Sequence, residues 1–152
     1  MVPHTLSEDV VSHMMDNDFF SQWMGVEVLA ISEGYSKIKM TIRAEMVNGF
    51  GIVHGGITFS LADSAFAFAC NNRNNLSVAL DTSINFTKPV QVGDQLTATV
   101  TELHNGKSTG LYQIAIHNQQ QELYLYPGNK EHCHVLNGLS EPHLPLCILT
   151  NS

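Results

Sequence analysis

One segment of the chain is apolar around nearly all of a helix, and it constrains the fold more than any other segment. It runs from about His54 to Asn72, and its apolar residues are Ile57, Phe59, Leu61, Ala62, Ala65, Phe66, Phe68 and Ala69. A helix that is apolar all round is stable only when other elements cover it. Polar residues interrupt the segment before it reaches the roughly 20 apolar residues that a membrane span needs. The segment therefore predicts a central helix enclosed by the rest of the domain.

The residues before this helix predict an amphipathic helix followed by a β-hairpin. From Leu6 to Trp23, apolar residues recur at spacings of three and four, which is the period of a helix with one buried face, and Gly25 ends the pattern. Residues 26–31 and 35–42 are interpreted as two strands, and in the second Ile38, Met40 and Ile42 alternate with polar residues. The three residues between them are enough for a hairpin connection.

Three further alternating runs follow the helix. They cover residues 78–86, 96–100 and 112–116, and turn residues such as Gly93 and Gly106 separate them. The order of one helix, two strands, a buried helix and at least three strands is typical of an α+β domain. We expect one antiparallel sheet that curls around the central helix.

Composition and charge exclude several classes of function. The chain has 152 residues, 43% of them hydrophobic, which suits a single domain with one core. Its formal net charge is -7 and no window gathers basic residues, so we expect no nucleic-acid partner. The first nine residues lack the basic start and apolar run of a secretory signal, and three cysteines, an odd number without close spacing, suit a reducing compartment. We predict a cytoplasmic protein without a membrane partner.

The glycine-rich turn before the buried helix carries the first chemical signal. The first turn of a helix has backbone N–H groups without partners and the positive end of the helix dipole. Glycine at positions 55 and 56 would let a carbonyl oxygen approach these groups without meeting a Cβ. The turn can polarise a thioester carbonyl, although tight turning alone would also explain Gly55 and Gly56.

Asp63 is the second signal, because it is the one acidic residue in the apolar helix. It follows Gly55 by eight residues, which places it roughly 12 Å further along the helix axis. Two antiparallel copies of the helix in a two-fold dimer would bring Asp63 of one copy to Gly55 of the other. Burial raises the pKa of a carboxyl group and suits it as a general base or as a nucleophile. The alternative is a capping or pairing role inside the core.

Two residues beside the turn have two interpretations each. His54 is either a catalytic base or the residue that orders the loop, and we favour the second because the helix dipole disfavours a cation there. Asn48 is either a turn former or an amide donor in an active site.

The run from Asn48 to Asn71 resembles the PaaI-like branch of the hotdog-fold acyl-CoA thioesterases. The matching features are His-Gly-Gly at 54–56, Leu-Ala-Asp-Ser-Ala-Phe-Ala at 61–67 and Ala-Cys-Asn at 69–71. Similarity continues through residues 84–86, 93–94 and 106–112, and it covers roughly residues 10–123 in all.

The resemblance implies a hotdog fold, in which an antiparallel sheet wraps a long central helix. It also implies a homo-oligomer, built as a dimer of dimers with shared active sites. The implied reaction is hydrolysis of acyl-CoA, often of ring-hydroxylated phenylacetyl-CoA, as a step in phenylacetate breakdown. The resemblance implies no cofactor, because coenzyme A is part of the substrate, and it implies no metal.

Individual residues take roles by the same resemblance. Asp63 matches the catalytic acid, Gly55 the glycine whose N–H polarises the thioester carbonyl, and Asn48 the amide that holds the carbonyl or water. Supporting roles fall to His54, Gly56 and Ser64. The predicted substrate contacts are Phe59 and Phe66 for the acyl group, and Lys88, Lys107, Ser108 and Thr109 for the phosphates of coenzyme A.

Two other functions share these features. A hotdog dehydratase or hydratase would use a histidine and an acid to move a proton and water across a double bond. A non-catalytic acyl-CoA-binding module would use the same pocket as a sensor. The match around Asp63 favours the thioesterase.

The end of the chain departs from the family pattern. We expect residues 1–130 to form the thioesterase domain and residues 131–152 to form an atypical tail. The tail has no sustained strand or helix period. It is interpreted as a divergent extension, a disordered end or the product of a shifted reading frame.

Overall fold

A computed structural model of the protein describes residues 4–125 and 133–137. The N-terminal region contains two helices, α1 (Leu6–Asn17) and α2 (Phe19–Met24). The single helix predicted from Leu6 to Trp23 is therefore wrong. Asp18 separates the two helices, because its side chain accepts a hydrogen bond from the Ser21 N–H (2.9 Å) and caps α2 instead of continuing α1.

In the described residues, seven strands form one sheet. They are β1 (Glu27–Ser32), β2 (Tyr35–Thr41), β3 (Ser77–Asp81), β4 (Gln95–Asn105), β5 (Thr109–His117), β6 (Leu123–Leu125) and β7 (Cys133–Asn137). Their order is β1-β2-β4-β5-β7-β3, with β6 also beside β5, and each described pair is antiparallel. The predicted hairpin is β1 and β2, and it is confirmed.

The long helix α3 (Gly55–Asn71) packs across the middle of this sheet, against β2, β4 and β5. Side chains that alternate along these strands meet one side of α3 and are fully buried, including Ile38, Met40, Leu96, Val100 and Ile116. The predicted α+β architecture, with an antiparallel sheet around a long helix, is confirmed.

The side of α3 that faces away from the sheet is only partly covered. Gly55, Gly56 and Asp63 are exposed, and Phe59 and Ser60 are half-buried. The prediction that this helix is enclosed is therefore met on the sheet side, while its outer face remains open in a single chain.

The run predicted from residue 78 to residue 86 is a strand only as far as Asp81. Its neighbour β7 pairs with Ser77 through Asp81, and the register shifts between Ala79 and Asp81. Ile84 and Phe86 therefore lie beyond the strand.

The predicted tail contains a strand in its described part, although its sequence has no sustained strand period. Residues 133–137 form β7, which lies between β5 and β3, and Val135 is fully buried. A strand this short carries almost no period of its own, and the open edges of β5 and β3 supply its hydrogen bonds. The predicted boundary at residue 130, and residues 126–132 and 138–152, lie outside the described residues.

The C-terminal end of α3 is fastened to the β1–β2 connection by Asn72. This side chain is fully buried, and its Oδ1 accepts a hydrogen bond from the Gly34 N–H (3.1 Å). Its Nδ2 donates to the carbonyl oxygens of Ser32 (2.8 Å) and Tyr35 (3.2 Å). One amide therefore forms hydrogen bonds with three backbone groups of this connection.

None of the helices in the described ranges combines the length and the apolar character that crossing a bilayer requires.

Candidate active site

The first turn of α3 leaves one backbone N–H available. His54 caps the helix, and its Nδ1 accepts a hydrogen bond from the Gly56 N–H (3.0 Å). The His54 carbonyl accepts from the Ile57 N–H (2.9 Å). Among the described residues no acceptor is bonded to the Gly55 N–H, which lies exposed at the helix start. The positive end of the helix dipole and one available donor therefore coincide at Gly55.

A side chain at either glycine would contact a neighbouring residue, more tightly at Gly56 than at Gly55. A Cβ at Gly56 would lie 3.1 Å from His54 Nδ1 and would press on the cap. A Cβ at Gly55 would lie 3.4 Å from Phe86 Cζ and would narrow the space between the helix start and that ring. The close approach of a substrate carbonyl to Gly55 depends on the missing side chain.

Asn48 organises the loop that leads into this turn. Its Oδ1 accepts hydrogen bonds from the N–H groups of Phe50 (2.9 Å) and Ile52 (3.2 Å). Its Nδ2 has no partner among the residues that the structure describes. Asn48 is thus a turn former through its oxygen, and its amide nitrogen remains available to a substrate carbonyl or a water molecule.

Asp63 lies on the outer face of α3, and no cation in the described part of the chain pairs with it. The side chain reaches solvent, but surrounding protein atoms displace part of its water. This loss of hydration raises the pKa of Asp63, and the negative charge of Asp18 raises it further. A carboxyl group with a raised pKa is a better proton acceptor when ionised than an ordinary aspartate.

Ser64 connects α3 to α2. Its Oγ lies 2.8 Å from Ser21 Oγ, and Ser21 Oγ in turn donates to Asp18 Oδ2 (2.5 Å). Ser21 is fully buried and Ser64 is 9% exposed, so this chain of hydrogen bonds is shielded from water. The sequence predicted a supporting role for Ser64 but missed Asp18 and Ser21, because no local pattern relates them to a serine more than 40 residues away.

The predicted substrate-binding residues do not form one cluster within a single chain. Phe59 is half-buried near the helix start, whereas Phe66 is 2% exposed and packs edge-on against Tyr112, with ring centroids 5.5 Å apart. Phe66 is therefore a core residue in this chain. Lys88 lies close to Gly55 and forms an ion pair with Glu122 (2.9 Å).

Lys107, Ser108 and Thr109 lie at the opposite end of α3 from Gly55. The Ser108 carbonyl accepts a hydrogen bond from the Asn137 N–H, and Asn137 pairs with Ser77. The Ser77 N–H in turn donates to Asn71 Oδ1 (2.8 Å), at the last residue of α3. Within one chain the three residues cannot reach a substrate at the glycine turn.

Two open grooves flank the glycine turn, each with a volume of about 310 Å³. The first lies between α2 and α3 and is lined by Phe20, Glu45, Met46, Val47, His54, Gly56, Ile57 and Ser60. The second lies toward the segment after β3 and is lined by Val53, Gly55, Thr58, Phe86, Thr87, Lys88, Pro89 and Val90. A thioester held at Gly55 therefore has a channel on either side.

No three His, Cys, Asp or Glu side chains among residues 4–125 and 133–137 come together as a metal site would require. The absence of a metal and of an organic cofactor stays a prediction.

Comparisons with known proteins agree on one family. The thioesterase superfamily model matches residues 50–125. The acyl-coenzyme A thioesterase PaaI of Escherichia coli is 43% identical over 119 residues, which are 78% of this chain and 85% of that protein. The fold and the site thus define a hotdog-fold thioesterase.

Solved structures narrow this class. The PaaI protein from the phenylacetic acid degradation operon of E. coli superposes with a TM-score of 0.81 at 38% identity, over 87% of this chain and 93% of that one. A variant of the phenylacetic acid degradation protein PaaI from Thermus thermophilus gives a TM-score of 0.72 at 28% identity, over 80% and 100%. The chain belongs to the PaaI-like family of acyl-CoA thioesterases.

Proposed function

We propose that this enzyme hydrolyses phenylacetyl-CoA, ring-hydroxylated phenylacetyl-CoA or a related aryl or medium-chain acyl-CoA. The names of its relatives supply the class of acyl group, since two of them are linked to phenylacetic acid degradation. The observation that carries the reaction itself is the available Gly55 N–H at the start of α3.

Gly55 polarises the thioester carbonyl in this proposal. Its N–H donates a hydrogen bond to the carbonyl oxygen, and the bond strengthens as negative charge develops on that oxygen in the transition state. The Asn48 Nδ2, which the loop leaves unpartnered, provides a second donor for the same oxygen or for the attacking water. Asn48 is fixed by hydrogen bonds to its own loop and Gly55 by the capped start of α3, so little reorganisation accompanies the reaction.

Asp63 drives the attack by one of two routes. As a general base, its carboxylate removes a proton from water while the water oxygen bonds to the carbonyl carbon, and the C–S bond then breaks to release the thiol of CoA. As a nucleophile, it displaces CoA to form a mixed anhydride, which water hydrolyses to the free acid. Both routes require the ionised carboxylate.

The site is shared between two copies of the chain in this proposal. Gly55 and Asp63 are roughly 12 Å apart along one helix, too far to act on one carbonyl. The open outer face of α3 offers small residues for a second helix, and the edge strand β3 exposes Val78 (42%) and Leu80 (53%). An antiparallel partner helix would bring Asp63 of the partner subunit toward Gly55.

The same arrangement gives Lys107 a role. Because the paired helices run in opposite directions, the C-terminal end of one α3 lies near the N-terminal end of the other. The turn at residues 107–109 of one copy then approaches the site of its partner, where its cation can meet a phosphate of coenzyme A. Dimers that pair into tetramers, and a cytoplasmic location, complete the proposal.

His54 argues against the dehydratase alternative. Its Nδ1 accepts the Gly56 N–H and is occupied as a helix cap. This nitrogen is therefore committed to a structural hydrogen bond within the loop rather than to a substrate.

The test is release of CoA, followed with a thiol reagent, from phenylacetyl-, hydroxyphenylacetyl-, hexanoyl- and acetyl-CoA. Wild type is expected to prefer an aryl acyl group, and Asp63→Asn to lower kcat by roughly 10²–10⁴-fold, the usual contribution of a positioned base. Asp16→Asn, which removes a charge from an exposed position on α1, is the matched control and should retain activity. An active Asp63→Asn variant, or a folded wild type without turnover, would contradict the proposal.

A further inference from the structure

The groove between α2 and the start of α3 has an aromatic wall that the proposed reaction has not used. Phe20 is 51% exposed and lines this groove together with Ile57 and Gly56. Gly56 directly follows Gly55, so the groove opens next to the N–H that would hold the thioester oxygen. Any group attached to the carbonyl carbon and directed toward α2 must pass the Phe20 ring.

Phe20 is held in place by stacking on Trp23, which Arg43 holds in turn. Its ring stacks on Trp23 with centroids 5.8 Å apart and an interplanar angle of 21°. Arg43 lies over the Trp23 ring at 5.3 Å, and its guanidinium donates to the carbonyl oxygens of Trp23 (2.8 Å) and Met24 (3.0 Å). A surface aromatic ring that is fixed on one side and open on the other presents a preformed contact for a ligand.

The charges in the two grooves distinguish the two ends of the substrate. Glu45 lines the Phe20 groove, and the cation that pairs with it, Arg43, does not. Lys88 lines the opposite groove, and its partner Glu122 does not. The anionic end of an acyl-CoA is therefore drawn toward the Lys88 groove, and the uncharged acyl end is left to the Phe20 groove.

We propose that Phe20 forms the wall of the acyl subsite and selects acyl groups that carry an aromatic ring. This inference rests on the proposed function, because it assumes that the thioester carbonyl lies at Gly55. A phenyl ring one methylene from the carbonyl enters the groove beside Gly56 and packs on the open face of Phe20. A linear acyl chain fills the same groove but lacks the ring-to-ring contact.

The test compares kcat/KM for phenylacetyl-CoA and hexanoyl-CoA. Phe20→Leu retains an apolar side chain without a ring, and Phe20→Ala removes most of it. Both variants are expected to lower the ratio of phenylacetyl- to hexanoyl-CoA by roughly 3- to 10-fold, the range of one aromatic pair. The control is Phe19→Ala, because Phe19 is 78% exposed on the same helix and does not line the groove. An equal ratio in the Phe19 and Phe20 variants would overturn the inference.

Binding without turnover separates this inference from the proposed reaction. Trp23 is the sole tryptophan of the chain and touches Phe20, so its fluorescence reports on the groove. In Asp63→Asn protein, phenylacetyl-CoA is expected to change Trp23 emission while CoA alone has little effect, and Phe20→Ala is expected to remove the change. If wild type shows this response but no hydrolysis, the acyl subsite stands and the reaction fails. If phenylacetyl-CoA and CoA give the same response, the acyl subsite is refuted even in an active enzyme.

Discussion

Replacing Asn72 with alanine is expected to cost about 3 kcal/mol in the free energy of unfolding. The fully buried Asn72 amide makes three hydrogen bonds to the backbone of the β1–β2 connection, at Ser32, Gly34 and Tyr35. A typical intramolecular hydrogen bond contributes about 1 kcal/mol net, and a buried group left without a partner costs about as much or more. The alanine variant removes all three hydrogen bonds.

This loss is measurable by urea unfolding at a fixed protomer concentration, since association stabilises folded subunits. With a slope of about 2 kcal/mol per molar urea, the midpoint should fall by roughly 1.5 M. A thermal scan should show a decrease in Tm of about 6–12 °C for a chain of this size. The control is Asn75→Ala, because Asn75 is exposed and its side chain makes no described hydrogen bond. If the two variants unfold alike, Asn72 does not fasten the end of α3.

Two further predictions concern the candidate active site. Asp18→Asn keeps a capping side chain but removes a negative charge that raises the pKa of Asp63, so that pKa should fall. Because activity requires ionised Asp63, the acidic limb of the kcat/KM profile should move to lower pH, and an unmoved limb would show that Asp18 does not act on it. His54→Ala removes the hydrogen bond that caps α3 at Gly56 and should cost about 1 kcal/mol in thermal unfolding, whereas His54→Asn should restore most of it. Equal stability of the two His54 variants would contradict the capping role.

The sequence predicted those parts of the fold that have a strong local pattern. The buried helix was expected from about His54 to Asn72. It extends from Gly55 to Asn71, and His54 and Asn72 are its caps. The hairpin of β1 and β2 was also expected, and the alternation from Ile38 to Ile42 matches the alternating burial of β2. The break at Asp18 was missed, because apolar residues on both sides of it keep the helical period.

The site was predicted in its chemistry rather than in its geometry. Glycine at the start of α3, with His54 beside it, was expected to expose backbone donors, and the Gly55 N–H is available. The contact of Phe86 with Gly55 was missed, since residues 84–86 were assigned to a strand that ends at Asp81. Phe66 was assigned to the acyl pocket because it is aromatic, but its position on α3 directs the ring toward the core.

The sequence by itself determined the α+β class, the central helix, the glycine turn and the place of Asp63 on that helix. These follow from short-range physics, since periodicity, capping and the missing Cβ of glycine act within a few residues. Tertiary structure alone decided that β7 enters the sheet between β5 and β3. It also decided that Asp18 and Ser21 adjoin Ser64, and that Phe20 faces the glycine turn before α3. Each of these joins segments tens of residues apart, and such contacts depend on how the whole sheet closes over α3 rather than on any local pattern.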